Sequence, residues 1–217
     1  MPVDLINFRR NTYSQNGEDG VVEEILRRLE IGTGSFCEFG AWDGKRLSNT
    51  YSLVEKGWSG VEIEADPDKF KELLKTAENH PGQLTCINKG VSVDGENSLD
   101  RILSETGLAK DFDLLSIDID SFDFQVWESL TEYHPKIVII EVNSGLGGKA
   151  LQTHTVNEDG AVMSQGSSFA STKELGVRKG YVCIFHYGNV FFLREDLFDV
   201  SKFEYGFFNN RRGRRSW

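Results

Sequence analysis

Five short apolar runs, each closing on polar or acidic residues and each set apart from the next by a helix-period segment, constrain this chain more than any other feature. They are Phe36-Cys37-Glu38-Phe39, Gly60-Val61-Glu62-Ile63-Glu64, Leu84-Thr85-Cys86-Ile87-Asn88, residues 113–120 and residues 136–143. Strands that alternate with helices pair in parallel, because each crossover returns the chain to the same end of the sheet. Helical spacing is read from Val21, Val22, Ile25, Leu26 and Leu29, then from Leu47, Tyr51, Val54 and Trp58, and from Phe70, Leu73, Leu74 and Ala77. Leu99, Ile102 and Leu103, and later Val126, Trp127 and Leu130, repeat it. Ser14 or Asn16 is the expected cap of the first helix, and Asp66-Pro67 the cap and first residue of the third. Beyond a helix over about 168–179, strands at 181–185 and 190–193 are joined only by His186-Tyr187-Gly188-Asn189. So short a link forces that last pair to be antiparallel.

Open sheets of this kind bind ligands at the carboxyl ends of their strands. There the first strand turns through Glu38-Phe39-Gly40-Ala41-Trp42-Asp43-Gly44. Gly40 and Gly44 allow a sharp turn and close backbone approach, the second of them at the entry to a helix. A G-x-G-x-x-G fingerprint would bring a helix N-terminus onto a pyrophosphate, whereas an E-x-G-x-x-x-G pattern puts a carboxylate where phosphate is repelled. A ligand with an ammonium group, two ribose hydroxyls and no phosphate fits, and S-adenosylmethionine (SAM) is such a ligand. Glu64, about twenty residues past the glycine turn, is placed to accept both ribose hydroxyls. A period of two puts Asp118 and Asp120 on one side at the end of the fourth strand, and Glu141 and Asn143 on one side at the end of the fifth.

A chain of 217 residues holds one domain with a sizeable core. It is expected to begin with a helical lid over 1–31, whose polar start reaches the cofactor, and to end in a basic tail at about 209–217. The net charge of −10 argues against a general nucleic-acid or anionic-membrane binder. Cys37, Cys86 and Cys183 are odd in number, widely spaced and within strands, so they read as small core residues in a reducing compartment. Met1-Pro2-Val3-Asp4 shows no apolar signal core and no run reaches spanning length, from which a cytoplasmic chain without membrane insertion is expected.

In the order and spacing of its motifs the sequence resembles the FkbM-like branch of class I SAM-dependent methyltransferases. The motifs run from Tyr13-Ser14-Gln15-Asn16-Gly17-Glu18-Asp19 through Glu38-Phe39-Gly40-Ala41 and Ile63-Glu64-Ala65-Asp66-Pro67. They continue with Ile117-Asp118-Ile119-Asp120-Ser121-Phe122-Asp123 and Ile140-Glu141-Val142-Asn143 to Asn189-Val190-Phe191-Phe192-Leu193-Arg194. The resemblance implies an α/β, Rossmann-like sheet in the order 3-2-1-4-5-7-6, the last hairpin antiparallel, with helices on both faces. It implies a cofactor site at Gln15, Glu38, Gly40, Ala41, Asn49 and Glu64, with Val91 and Ser92 at the adenine and Asp118 beside the sulfonium. Ser121 departs from the glycine many relatives carry. Residues 144–166 form the long polar loop expected to choose the acceptor.

The expected activity is O-methylation of a sugar or glycoconjugate hydroxyl, the partner being a small-molecule or glycan acceptor, in a chain able to form a homo-oligomer. A hydroxyl near neutral pH needs a general base or a bound cation. Asp118, Asp120 and His154 are the catalytic candidates, with His186 as a second histidine. Asp118, Asp120, Glu141 and Asn143 make a hard-oxygen set suited to Mg²⁺ or Mn²⁺. Tyr13, Trp42, Phe122 and Phe124 are candidates for an apolar wall under a sugar ring. The alternatives are a nucleotide-binding oxidoreductase, which would share Glu64 and the opening turn, and a non-catalytic module of the same fold.

Overall fold

In the computed structural model the described residues are 3–119, 121–146, 153, 155–156, 162–164 and 166–204. The chain alternates helix α1 (Glu18–Leu29), strand β1 (Ser35–Phe39), α2 (Tyr51–Val54), β2 (Ser59–Ile63), α3 (Pro67–Glu78) and β3 (Leu84–Ile87). It continues with α4 (Leu99–Ser104), β4 (Leu114–Ile117), α5 (Asp123–Ser129) and β5 (Ile137–Glu141). After a small pair, β6 (Thr155–Val156) and β7 (Val162–Ser164), come α6 (Phe169–Arg178), β8 (Tyr181–Tyr187) and β9 (Asn189–Arg194).

One seven-stranded sheet has the order β3-β2-β1-β4-β5-β9-β8. β1 to β5 pair in parallel and β9 runs antiparallel to both β5 and β8. This is the expected order once β6 and β7, which pair only with each other, are set aside. That pair within 144–166 was not anticipated, and Lys149, His154, Asn157, Glu158 and Asp159 lie outside the described residues.

Alternation along each strand gives the sheet two buried faces. Cys37, Phe39, Val61, Ile63, Leu115, Ile117, Val138 and Ile140 join Val126 and Trp127 of α5 and Leu175 of α6 on one side. Trp127, fully buried, packs edge-on against Tyr181 at 5.7 Å between ring centroids and at a tilt of 48° against Phe192 at 4.9 Å. Phe36, Leu114, Ile137, Ile139, Phe191 and Leu193 meet Val21, Val22 and Ile25 of α1 and Leu53 and Val54 of α2 on the other. Burying such side chains from water is the main force holding both helical layers to the sheet.

Three local readings change. The helix expected from about Leu47 to Lys56-Gly57 is the single turn Tyr51–Val54, while Leu47 is exposed with φ +59° and Trp58 is buried just before β2. Gly44 therefore enters no helix; its missing Cβ makes room for the Leu73 side chain of α3. Helix α1 starts from Gly17, not from Ser14 or Asn16, yet the Ser14 hydroxyl still accepts the free N–H of Asp19 at 3.1 Å. Asp66 and Pro67 cap α3 as expected, with Asp66 accepting from Asp68 N at 2.8 Å and Lys69 N at 3.2 Å.

Candidate active site at the carboxyl ends of the parallel strands

The glycine turn after β1 is fixed from two sides. Gly40 N and Ala41 N both donate to the Ile63 carbonyl of β2, at 3.1 and 3.2 Å. On the β4 side the Asp118 carbonyl stands only 1.9 Å from where a Cβ on Gly40 would be, and Gly40 has φ +77°. No other residue fits that position without moving β4. The strand ends of β1 and β4 thus come together as a flat backbone wall with Asp118, partly buried, on its rim.

Glu64 lies where the ribose reading put it, at the end of β2 and 6% exposed. Its two oxygens hold the surrounding backbone: Oε2 accepts Trp42 N at 2.8 Å and Oε1 accepts Asp66 N at 2.7 Å. A carboxylate oxygen takes more than one donor, so a ribose would share these oxygens and not find them idle. The carboxylate locks the glycine turn to the end of β2.

Glu38 does something other than face an ammonium group. It is 4% exposed and its carboxylate grips residues 48–50, accepting from Ser48 Oγ at 2.6 Å, Thr50 Oγ1 at 2.8 Å and Asn49 N at 2.9 Å. Asn49 in turn reaches across to β4, donating from Nδ2 to Ser116 Oγ at 3.1 Å, so it too is a strut of the turn. These contacts explain why the chain stays irregular from 41 to 50: the backbone follows the carboxylate and not a helical ladder.

The remaining expectations divide. Val91 packs on the core, and Ser92 closes a turn after β3, N donating to Asn97 O at 2.9 Å and Oγ to Asp94 O at 2.7 Å. Gln15 has an exposed side chain, and its carbonyl accepts from Asn11 Nδ2 at 2.8 Å. Asn143 Oδ1 accepts Gly145 N at 2.8 Å, and Glu141 ends β5. Asp120 and His154 lie outside the described residues. No group of three or more His, Cys, Asp or Glu side chains able to hold a metal gathers among the described residues. The four aromatic residues do not form one wall: Tyr13 packs edge-on against Tyr51 at 4.7 Å on the α2 side, while Phe124 belongs to the core of the opposite face. Trp42 sits between two cations, Arg46 at 5.0 Å and Lys69 at 4.6 Å from its ring.

Two features escaped the sequence reading. Residues 11–19 are knotted on Asp19, whose Oδ2 accepts the N–H groups of Thr12, Tyr13 and Ser14 and the Ser14 hydroxyl, all within 2.8 Å. Burial works against the charge there, but these donors together hold Asp19 below its usual value. Glu18 Oε1 accepts from Asn189 Nδ2 at 3.1 Å, which ties the same segment to the start of β9. The second feature is Glu62, in the middle of a central strand and fully buried. Burial, and then the charge of Glu38, push its carboxyl well above the usual range. An acid at that point of a strand buried on both faces was the available signal.

His186, at the carboxyl end of β8, stacks on Phe169 at 4.5 Å and 15°. Burial depresses its pKa to about 4, so it is a neutral imidazole at ordinary pH.

No protein-family model matches the chain, and no curated protein matches it in sequence. Solved structures do match. An O-methyltransferase family protein from Burkholderia thailandensis is 12% identical at a TM-score of 0.53, over 80% of this chain and 54% of that one. The CurJ carbon methyltransferase is 10% identical at a TM-score of 0.51, over 81% and 52%. The fold is that of the class I methyltransferases. This chain spans about half the length of each of those two proteins. A glycopeptide N-methyltransferase, MtfA, solved with sinefungin, is 15% identical at a TM-score of 0.47, over 83% and 86%. The first two differ in the acceptor that their names give, oxygen in one and carbon in the other, so the fold does not set the acceptor atom. No helix among the described residues is long and apolar enough to cross a membrane.

Proposed function

We propose that this chain is a single-domain SAM-dependent O-methyltransferase acting on a hydroxyl of a sugar or glycoconjugate. The observation that carries the cofactor is the Gly40 turn, held by Glu64 from β2 and pressed against the Asp118 carbonyl of β4. A carboxylate in that place, with no helix N-terminus behind Gly44, suits a cationic adenosyl ligand better than a dinucleotide. Gly40, Ala41 and Asp118 would hold the methionine part, Glu64 the ribose, and the turn at Val91 and Ser92 the adenine. Bound there, SAM supplies a methyl carbon already activated by a positive sulfur.

The chain's own task is then to position the acceptor and remove its proton. As its oxygen took the methyl group, the acceptor hydroxyl would pass its proton to a base of this chain. Asp118, Asp120, His154 and His186 are the candidates named from sequence, and His186, at the same end of the sheet, is a neutral imidazole at working pH. Segment 1–31 would serve as lid and residues 144–166 as acceptor selector. Of the set Asp118, Asp120, Glu141 and Asn143 proposed for Mg²⁺ or Mn²⁺, Asp120 lies outside the described residues and Asn143 Oδ1 accepts Gly145 N, and no group of three or more His, Cys, Asp or Glu able to hold a metal gathers among the described residues.

Calorimetric titration with SAM, S-adenosylhomocysteine and NAD, each with and without Mg²⁺ or Mn²⁺, tests the cofactor. The adenosyl ligands should bind and NAD should not. Binding of NAD alone would overturn the reading in favour of an oxidoreductase, and binding of none would favour a non-catalytic module. Methyl transfer to a panel of glycans, with and without chelator, then tests acceptor and metal together.

A further inference from the structure

Glu38 and Glu62 are register partners on adjacent parallel strands, their side chains on the same face of the sheet. They are 4% and 0% exposed. Glu38 accepts three hydrogen bonds from residues 48–50, whereas Glu62 has one distant donor, Thr50 Oγ1 at 3.5 Å, and its Oε2 meets no partner among the described residues. Their row continues to Cys86 on β3 and Ser116 on β4. Asp43 adds negative charge from the glycine turn, and the hydroxyl of Tyr51, which opens α2, meets His80 and neither acid. None of these neighbours brings a cation to Glu62. Two adjacent buried carboxylates with no cation between them do not both ionise.

We infer that Glu38 and Glu62 work as one positioning pair beneath the cofactor loop: Glu38 carries the charge and grips residues 48–50, and Glu62 stays the neutral acid so that it can. Donors decide which is which, since three of them turn toward Glu38 and only a long contact reaches Glu62. Removing the Glu62 proton sets two like charges side by side, and the easiest escape is to release Ser48, Asn49 and Thr50 and let water in. The link to cofactor binding rests on the SAM reading above; the link to loop order does not. Burial and the Glu38 charge both raise the Glu62 carboxyl, so the folded chain keeps a proton that the unfolded chain has lost. Above the ordinary value of 4.5, stability must fall as pH rises toward the raised value, and level off beyond it. One proton makes the unfolding constant climb by up to about tenfold per pH unit within that window.

The test compares the full-length wild type with Glu62→Gln from about pH 5 to about pH 9, by urea unfolding, by amide hydrogen exchange at residues 48–50, and by SAM titration. Wild type should lose stability and protection at 48–50 as pH rises, and SAM should bind progressively more weakly. In Glu62→Gln the fall of stability with pH that the Glu62 proton causes should vanish, and protection at 48–50 and SAM affinity should be flat over the same range. A Glu62→Gln protein with the wild-type slope and the wild-type loss of protection overturns the pair. Should that variant fail to fold, Glu38→Gln decides: relieved of its neighbour's charge, Glu62 should ionise more easily and the window should move to lower pH, and an unmoved window overturns the inference. Wild type that binds no SAM at any pH would remove the cofactor reading, while the unfolding and exchange measurements would still judge the pair.

Discussion

At Gly40 a single missing carbon decides whether β1 and β4 can close. A methyl group there would overlap the Asp118 carbonyl and would also have to tolerate φ +77°. Gly40→Ala should therefore cost roughly 2–4 kcal/mol, more than a solvent-exposed glycine turn would, and abolish adenosyl-ligand binding; denaturant unfolding and calorimetry read the two effects separately. His186 gives a second prediction at this scale. Its folded pKa lies at about 4, below the ordinary 6.5, because burial disfavours the imidazolium. The unfolded chain then binds the extra proton between those values, so this contribution to stability is complete above pH 6.5 and is lost as pH falls toward 4. Thermal unfolding of wild type against His186→Gln across that range should show the steeper acid-side loss in wild type, and equal curves would remove His186 as its source.

Among the elements, the segment leading into α1 depends on one carboxylate. Asp19 is 2% exposed and organises four donors from residues 12–14, which a neutral or absent side chain cannot replace. Asp19→Ala should destabilise by roughly 2–3 kcal/mol and strip hydrogen-exchange protection from the amides of Thr12, Tyr13 and Ser14, while leaving the sheet amides protected. If those three amides stayed protected, the knot would have another source. The same contacts are why a polar, glycine-bearing stretch is ordered at all: its backbone donors are met by a side chain in place of a ladder.

For the whole molecule, Arg28 is the tie between distant parts of the chain. It is 8% exposed, paired with Glu24 at 2.7 Å, and donates to the Val3 carbonyl at 2.6 Å and the Lys202 carbonyl at 2.7 Å. Hydrogen bonding by Arg27, then by Arg28, outweighs burial and brings Glu24 down to about 2. Arg28→Ala removes the donors to the Val3 and Lys202 carbonyls and one of the two partners of Glu24, which Arg27 still holds, so a loss of about 2–3 kcal/mol is expected, with the denaturant m-value unchanged if the sheet remains one cooperative unit.

Much of this arrangement was determined by the sequence alone. Apolar runs of strand length, alternating with helix-period segments and closed by a short link, called for a parallel sheet ending in an antiparallel pair, because periodicity fixes which faces must be buried and short connections fix direction, while the order of the strands came from the resemblance of the motifs. The same local chemistry placed Asp66 as a cap, Gly40 at a turn and Glu64 at the end of β2. What only the tertiary structure decided is which partner each polar group finds. Glu38 looked like a ligand group but faces Ser48, Asn49 and Thr50; Leu47 kept helical spacing but lies in an irregular turn that Glu38 and Asn49 hold in place; Glu62 passed for an ordinary strand residue but lies beside a second buried acid. Spacing along a chain reports the period of burial, whereas hydrogen bonds and charges are settled across strands by groups far apart in sequence, and only the assembled sheet brings those groups within reach.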